Sequence, residues 1–388
     1  MGESKHWILV INPGSTSTKM ALFQNMEKVA ERVIEHDVKD LTCFEHMQDQ
    51  LFFREGVIRR FLQEEKVSIS TLAAVAGRGG LLHALEGGVY AVESEMLGDL
   101  RQGSYGEHAS NLGAPLAHSL AQKAGCPAFI VDPVVVDELD DPARLSGHPE
   151  IARRSIFHAL NQRSVARLIA DQIGISYEEG RFIVAHMGGG ISIGAHKMGR
   201  VVDVNNALDG EGPFTAERSG GLPSGQLVSL CFHSGKGESE IRKMIKGGGG
   251  LVAYTGSNDL RDLVQACSRL DADSTTHEWS TPPHVVFEAL SRQVAQGICA
   301  HGATLEGQVD AVVLTGGMAY SKELMGRIES LCSWMAPVYV VPGEREMEAL
   351  AEGAYRALEG RTPVLNYQRE KPQSRSSVGQ AVGSDVPA

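Results

Sequence analysis

Residues 7–24 read WILVINPGSTSTKMALFQ, and residues 182–197 read FIVAHMGGGISIGAHK. In each, a compact apolar run enters a short polar or glycine turn and leaves it as a second apolar or alternating run, the pattern of a β-hairpin. A further short strand, Val201–Val204, follows the second hairpin. A second pair of segments echoes across the chain: LAAVAGRGG at 72–80 and AVVLTGGMA at 311–319, both buried-strand runs ending in a glycine turn. The order is the same in both halves. The chain therefore reads as two copies of one α/β unit carrying different insertions.

Helical signals lie between these strands. Pro149–Ile173 is the clearest: Pro149 suits a first turn, and Phe157, Leu160, Val165, Leu168 and Ile169 fall on one helical face. Its arginines, Arg153, Arg154, Arg163 and Arg167, read as a solvated face. Met347–Leu358, rich in Ala and Glu, is a second helix. Asp132-Pro133 and Ser146–Pro149 punctuate the middle. The expected organisation is a first domain of residues 1–150 joined by a returning helix at about 345–368, a second domain of 151–344, and a tail, 369–388, without aromatics and read as disordered.

Composition removes several function classes. The 48 acidic residues against 36 basic ones give a net charge of −12, which argues against a nucleic-acid partner. No apolar run approaches the ~18 residues of a membrane span. The opening MGESKHWILVINPGS has an apolar core of four residues and does not resemble a signal peptide, so a cytoplasmic location is expected. The six cysteines are scattered with no CxxC, which points away from zinc knuckles and disulfide frameworks. Neither GxxxxGK[ST], HExxH nor GxSxG occurs, and no glycine run matches a dinucleotide fingerprint. Yet the 44 glycines cluster in loops, at 77–80, 188–190, 210–212, 219–221, 247–250 and 316–317. Such loops let backbone approach a ligand closely and suggest phosphate handling.

Several residues could carry that chemistry. The turn Asn12–Lys19 offers four hydroxyls, an amide and a lysine, donors suited to phosphate oxygens, although turn chemistry alone explains the same residues. Arg78 stands between glycines at a strand end, where ligands bind in open α/β sheets and where a guanidinium can grip a carboxylate or phosphate. Asp132 also ends an apolar run; it suits water-mediated Mg²⁺ or an Asp-Pro turn equally well. His186 precedes three glycines, and Arg218 lies in the poorly apolar stretch EGPFTAERSGG.

Taken in order, NPGSTSTK at 12–19, GRGG at 77–80, HMGGG at 186–190 and RSGG at 218–221 resemble the acetate kinase family, within the superfamily of acetate and sugar kinases, heat-shock chaperones and actin. The texture of PGSTSTK, AHMGGGISIG and PFTAERSGGLP is closer to the family's butyrate-acting branch. The resemblance covers about residues 7–365. It implies an α/β fold of two duplicated ribonuclease-H-like domains with the active site in the cleft between them. It also implies an ATP-dependent phosphotransferase acting on the carboxyl group of butyrate or a similar short or branched acid, with acetate or propionate as the alternative within the family. An actin- or chaperone-like ATPase switch is the alternative of another class.

The resemblance further implies the roles. Asp132, His186 and Arg218 would be catalytic and Arg78 would bind the substrate carboxylate. Ser15, Ser17, Lys19, His186, Gly188, Gly189, Gly190, Asp259, Arg261, Gly316, Gly317 and Met318 would contact nucleotide. Asn12 and Glu346 would lie near Mg²⁺, with Glu344 the other candidate for the metal glutamate. ATP or ADP and a short acid or its acyl phosphate would be the small-molecule partners, and a homo-oligomer, dimer or larger even assembly, is expected. A carboxylate of pKa ~4–5 is already a nucleophile at neutral pH and needs no general base, so the task is to bring two anions together.

Overall fold

Strand β1 (Trp7–Pro13) is buried along almost its whole length, as expected of a central strand covered on both faces. The computed structural model, which describes residues 6–269 and 281–369, builds one of two units around it. This first unit comprises the described residues up to Val136 and from Arg345 onward. β1 pairs antiparallel with β2 (Ser17–Gln24), which pairs antiparallel with β3 (Glu27–Glu35). On its other side β1 pairs parallel with β4 (Leu72–Gly77). β5 (Val89–Ala91), β6 (Ala128–Val131) and β12 (Val364–Asn366) complete the order β12-β5-β6-β4-β1-β2-β3. Outermost β3, EKVAERVIE, carries charged residues on both faces, Glu27, Glu31 and Glu35 on one and Lys28 and Arg32 on the other, which discourages edge pairing. Helices α1 (Leu51–Glu64), α2 (Ser94–Gln102) and α3 (Gly113–Ala124) form one core with Leu9, Ile11, Val75 and Ile130.

The second unit, 137–344, is built around β7 (Arg181–Met187). β8 (Ile191–Lys197) and β9 (Arg200–Val204) are antiparallel to their neighbours, while β10 (Ala311–Gly316) and β11 (Val338–Pro342) run parallel to β7. The order is β11-β10-β7-β8-β9. Helices α4 (Ala159–Ile173), α5 (Ser224–His233), α6 (Glu238–Ile245), α7 (Leu260–Arg269), α8 (Pro283–Thr304) and α9 (Lys322–Cys332) belong to this unit. The period of two decides which helix meets which face: Phe182, Val184 and Val313 pack on α4, whereas Ile183, Ala185, Met187 and Leu314 pack on α8 and α9.

The two sheets share a five-strand plan. β3-β2-β1-β4-β6 in the first and β9-β8-β7-β10-β11 in the second have the same order and the same parallel and antiparallel pairings. The third helix of each plan is exchanged along the chain. α4 follows the first unit's strands but packs on β7 and β10. α10 (Glu346–Leu358) follows the second unit's strands but packs on β1, β4 and β6, with Gly353 against Val131.

Several expectations need correction. The helix expected from Pro149 begins at Ala159. Residues before it are irregular because Arg153 ties them to β9, donating to Asp203, to the carbonyl of Val204 and to that of Ala143. Nor are the arginines simply a solvated face. Arg163 is buried and paired at 2.9 Å with buried Glu138, which also accepts from the Val201 amide at 2.7 Å. The Arg167 guanidinium lies over the Tyr177 ring. Residues 137–150 are held to the second unit by these bonds and by the Asp140 amide donating to Val202. Of the tail read as disordered, Arg369 is anchored, its Nε donating to Asp99 at 2.6 Å; positions 370–388 lie outside the described residues.

Removing one partner of a buried ion pair leaves the other charge buried and uncompensated. Glu138→Ala is therefore expected to lower stability by about 3–5 kcal/mol in urea unfolding of the second unit. A loss below about 1 kcal/mol would show that the pair contributes little.

Candidate active site

In the first unit three of the residues singled out in the sequence stand at the ends of three parallel strands. Asn12 lies at the end of β1, Arg78 follows β4 and Asp132 follows β6. Arg78 is held by its own amide, which donates to the carbonyl of Ile11 at 2.9 Å. Its guanidinium forms an ion pair with Glu346 in the first turn of α10. The other oxygen of Glu346 accepts from the Asn12 amide at 2.8 Å. Asp132 is 2% exposed and has φ of +38°, a left-handed conformation a non-glycine residue rarely adopts.

The glycines of this region are there for packing. A Cβ on Gly77 would lie 2.2 Å from the Gly113 carbonyl oxygen, and one on Gly79 would lie 2.5 Å from the Pro133 side chain. The Arg78 loop thus lies flat against the start of α3 and against the residue after Asp132. Lys19 pairs in register with Asn12 but turns its ammonium to Glu31 on β3, at 3.0 Å. Ser15 is exposed and Ser17 half-buried; their carbonyls accept from Arg54, a fully buried arginine of α1 that sequence reasoning did not single out.

In the second unit His186 ends β7, opposite Thr315 of β10, and is 1% exposed. Its Nδ1 lies 2.9 Å from the Asn161 amide nitrogen, which can only donate. Nδ1 therefore accepts and the proton sits on Nε2, 3.7 Å from Glu344. The His186 ring stacks on His158 at 3.7 Å and 9°. His158 in turn bonds Ser192, which also accepts from Gln162 at 2.7 Å. Sequence reasoning missed His158 and Asn161 because it placed them inside a longer amphipathic helix; the signal was a pair of polar residues flanking Leu160 at its start.

Arg218 donates to the Ala207 carbonyl at 2.6 Å, while its buried Nε has no hydrogen-bond partner among the described residues. Burial lowers the pKa of its guanidinium. Gly190 makes room for it, since a Cβ there would lie 2.2 Å from Nη1.

A cavity of about 1080 Å³ opens beside this group, lined by Gly188, Gly189, Asp259, Arg261, Gly317 and Met318. Three motifs far apart in sequence thus converge on one pocket. Gly188, Gly189 and Gly317 would leave an added Cβ no contact under 3.4 Å, so the pocket side of these loops is open. Gly316 stands behind it, at φ +92° and against the Met187 carbonyl. Asp259 accepts from Arg261 at 2.6 Å, which lowers the pKa of its carboxyl. Tyr320, Ser321 and Glu323 also line it; the resemblance implied nucleotide contact for the segment 316–320, whereas Ser321 and Glu323 had no sequence signal of their own.

These glycine-lined loops, beside a histidine with an oriented proton and a half-buried arginine, suit an anionic ligand. A chain of known activity matches nearly all of this one: butyrate kinase 2 of Clostridium acetobutylicum is 48% identical over 364 residues, 94% of this chain and 100% of the relative. The chain belongs to the acetokinase family. The model of the Acetokinase family itself matches residues 147–328. Among solved structures, acetate kinase of Porphyromonas gingivalis superposes with a TM-score of 0.70 at 18% identity, covering 91% of this chain and 100% of that one. A propionate kinase of Francisella tularensis gives 0.65 at 18%, covering 90% and 98%. At such identities the likeness is one of fold, and it extends to both duplicated units of this acetokinase-family chain.

The two adjoining glycines of the pocket should separate packing from openness. Gly316→Ala, strained by both φ and contact, is expected to cost about 2–4 kcal/mol in chemical denaturation. Gly317→Ala should stay within about 0.5 kcal/mol of the parent. Equal effects would contradict the geometry.

Proposed function

We propose that this protein transfers the γ-phosphoryl group of ATP to the carboxylate of butyrate or a near short-chain acid, reversibly and in line, with an acyl phosphate as product. The observation that carries the reading is full-length identity of 48% to a butyrate kinase. The geometry described above supports it. Arg78, poised on a carboxylate already, grips the acid; Glu346 and the incoming carboxylate would share its guanidinium. Arg218 and the Nε2 proton of His186 stabilise charge spread over the transferring group. No proton leaves the nucleophile, so Asp132 acts as a positioning group and not as a general base. The pocket lined by Gly188, Gly189, Asp259, Arg261, Gly317 and Met318 takes the nucleotide.

Mg²⁺ takes oxygen donors, retains most of its water and uses one or two protein ligands beside the phosphates. Asn12 and Glu346, in contact with each other, fit that limited donor set. Among the described residues no group of three or more His, Cys, Asp or Glu forms a protein-only cage. When bound, the ion would neutralise phosphate charge. No helix among the described residues is long and apolar enough to cross a membrane. The reading is completed by a cytoplasmic homo-oligomer, a dimer or larger even assembly, which rests on the family resemblance.

An acyl-hydroxamate assay with MgATP tests the function across acetate, propionate, butyrate, isobutyrate and valerate. Fastest product with four-carbon acids is expected; acetate alone would move the substrate, and ATP hydrolysis without hydroxamate would overturn the kinase reading. Arg218→Ala should lower kcat by about 10²–10³ with the fold intact. Near-parental turnover would remove Arg218 from the mechanism.

A further inference from the structure

Arg54 is among the largest fully buried side chains of the molecule, at 0% exposed. Buried arginines are ordinarily matched by a carboxylate. Here, among the described residues, the hydrogen-bond partners are all neutral. Nη1 donates to the Ser17 carbonyl at 2.5 Å and to the Thr18 hydroxyl at 3.1 Å. Nη2 donates to the Ser15 carbonyl at 3.2 Å and, with Nε, to Gln50 Oε1 at 2.8 and 3.0 Å. Burial lowers the Arg54 pKa to about 10, so the group stays charged at pH 7. Neighbouring His36, bonded to Thr18, adds no opposite charge; burial and then Arg54 hold its pKa below the usual imidazole value.

This cation sits directly beneath the hairpin turn Gly14–Ser17. Three of the turn's carbonyls are occupied on the protein side: Ser15 and Ser17 by Arg54, Thr16 by the His36 amide at 2.7 Å. In a trans peptide the C=O and N–H point in opposite directions. Drawing the Ser15 carbonyl inward therefore turns the Thr16 N–H outward, beside the exposed Ser15 and Thr16 side chains. A surface of outward N–H and hydroxyl donors over an uncompensated positive charge is an anion cradle.

We infer that Arg54 is a positioning residue that shapes and charges the Gly14–Ser17 turn for the phosphate tail of the nucleotide. This rests on the kinase reading above. It asks of Arg54 something a purely structural arginine would not supply: a net charge left unneutralised on purpose.

Gln50→Glu isolates that charge. It sets a carboxylate against the guanidinium while leaving Arg54 its bonds to the turn. Full-length protein is titrated calorimetrically with ADP, with thermal unfolding and the KM values for ATP and butyrate measured in parallel. The variant should melt at or above the parental temperature, bind ADP about tenfold more weakly and raise the KM for ATP comparably, with the KM for butyrate within about twofold. Arg54→Met should weaken ADP at least as much, and Arg54→Lys, which keeps the charge, should lose less. If Arg54→Met fails to fold, Gln50→Glu decides alone: folded protein with parental ADP affinity overturns the inference. Parental protein that binds ADP but phosphorylates no acid would sink the kinase reading and leave this comparison valid. Parental protein that does not bind ADP would sink both.

Discussion

The parallel pairing of β1 with β4 is the constraint on which the first unit's chemistry depends. It sets Ile11 opposite Gly77, so that the next residues, Asn12 and Arg78, come side by side. The Arg78 amide bonds to Ile11, which extends the ladder one step past the last strand pair. The second unit repeats the arrangement with β7 and β10: Thr315 lies opposite His186, and the glycines that follow each strand open onto the pocket. A one-residue slip in either register would turn these side chains to the other face of the sheet. The apolar filling on both faces makes such a slip prohibitive, so the core specifies the site.

Within that frame glycine serves two separate ends. At 77, 79, 113 and 316 the backbone is so close to a neighbour that no side chain fits, and at 190 one would displace the Arg218 guanidinium. At 188, 189 and 317 the space beyond the backbone is open. The first group builds tight seams behind the site, and the second leaves room for a ligand in front. Sequence alone shows only that glycines cluster; it cannot say which side of the seam each one is on.

The hairpins, the strand ends and the echo between halves were legible because they are local: a run of apolar residues, a turn and another run carry their meaning within about twenty positions. Arg78, Asp132, His186 and Arg218 could be picked out for the same reason, each beside a turn signal. What escaped was set by contacts distant in sequence. The stretch before Ala159 looks helical by periodicity, but Arg153 reaches some fifty residues onward to Asp203 and holds it irregular. Arg163 looks solvated until Glu138 is seen against it. His158 acquires significance only from the ring of His186 over it, and Arg54 only from the turn above it.

The exchanged helices have a consequence for how the protein is made. Six of the seven strands of the first unit's sheet are laid down early, but one of its faces stays uncovered until α10, at 346–358, has been synthesised. The second unit, by contrast, has all its strands and helices by residue 344. On the ribosome the unit that begins first is therefore completed last, with apolar strand surface waiting for its cover while some two hundred intervening residues emerge and fold. The two halves, alike in plan, meet different hazards during synthesis, and the N-terminal sheet is the one whose apolar face waits longer for its cover.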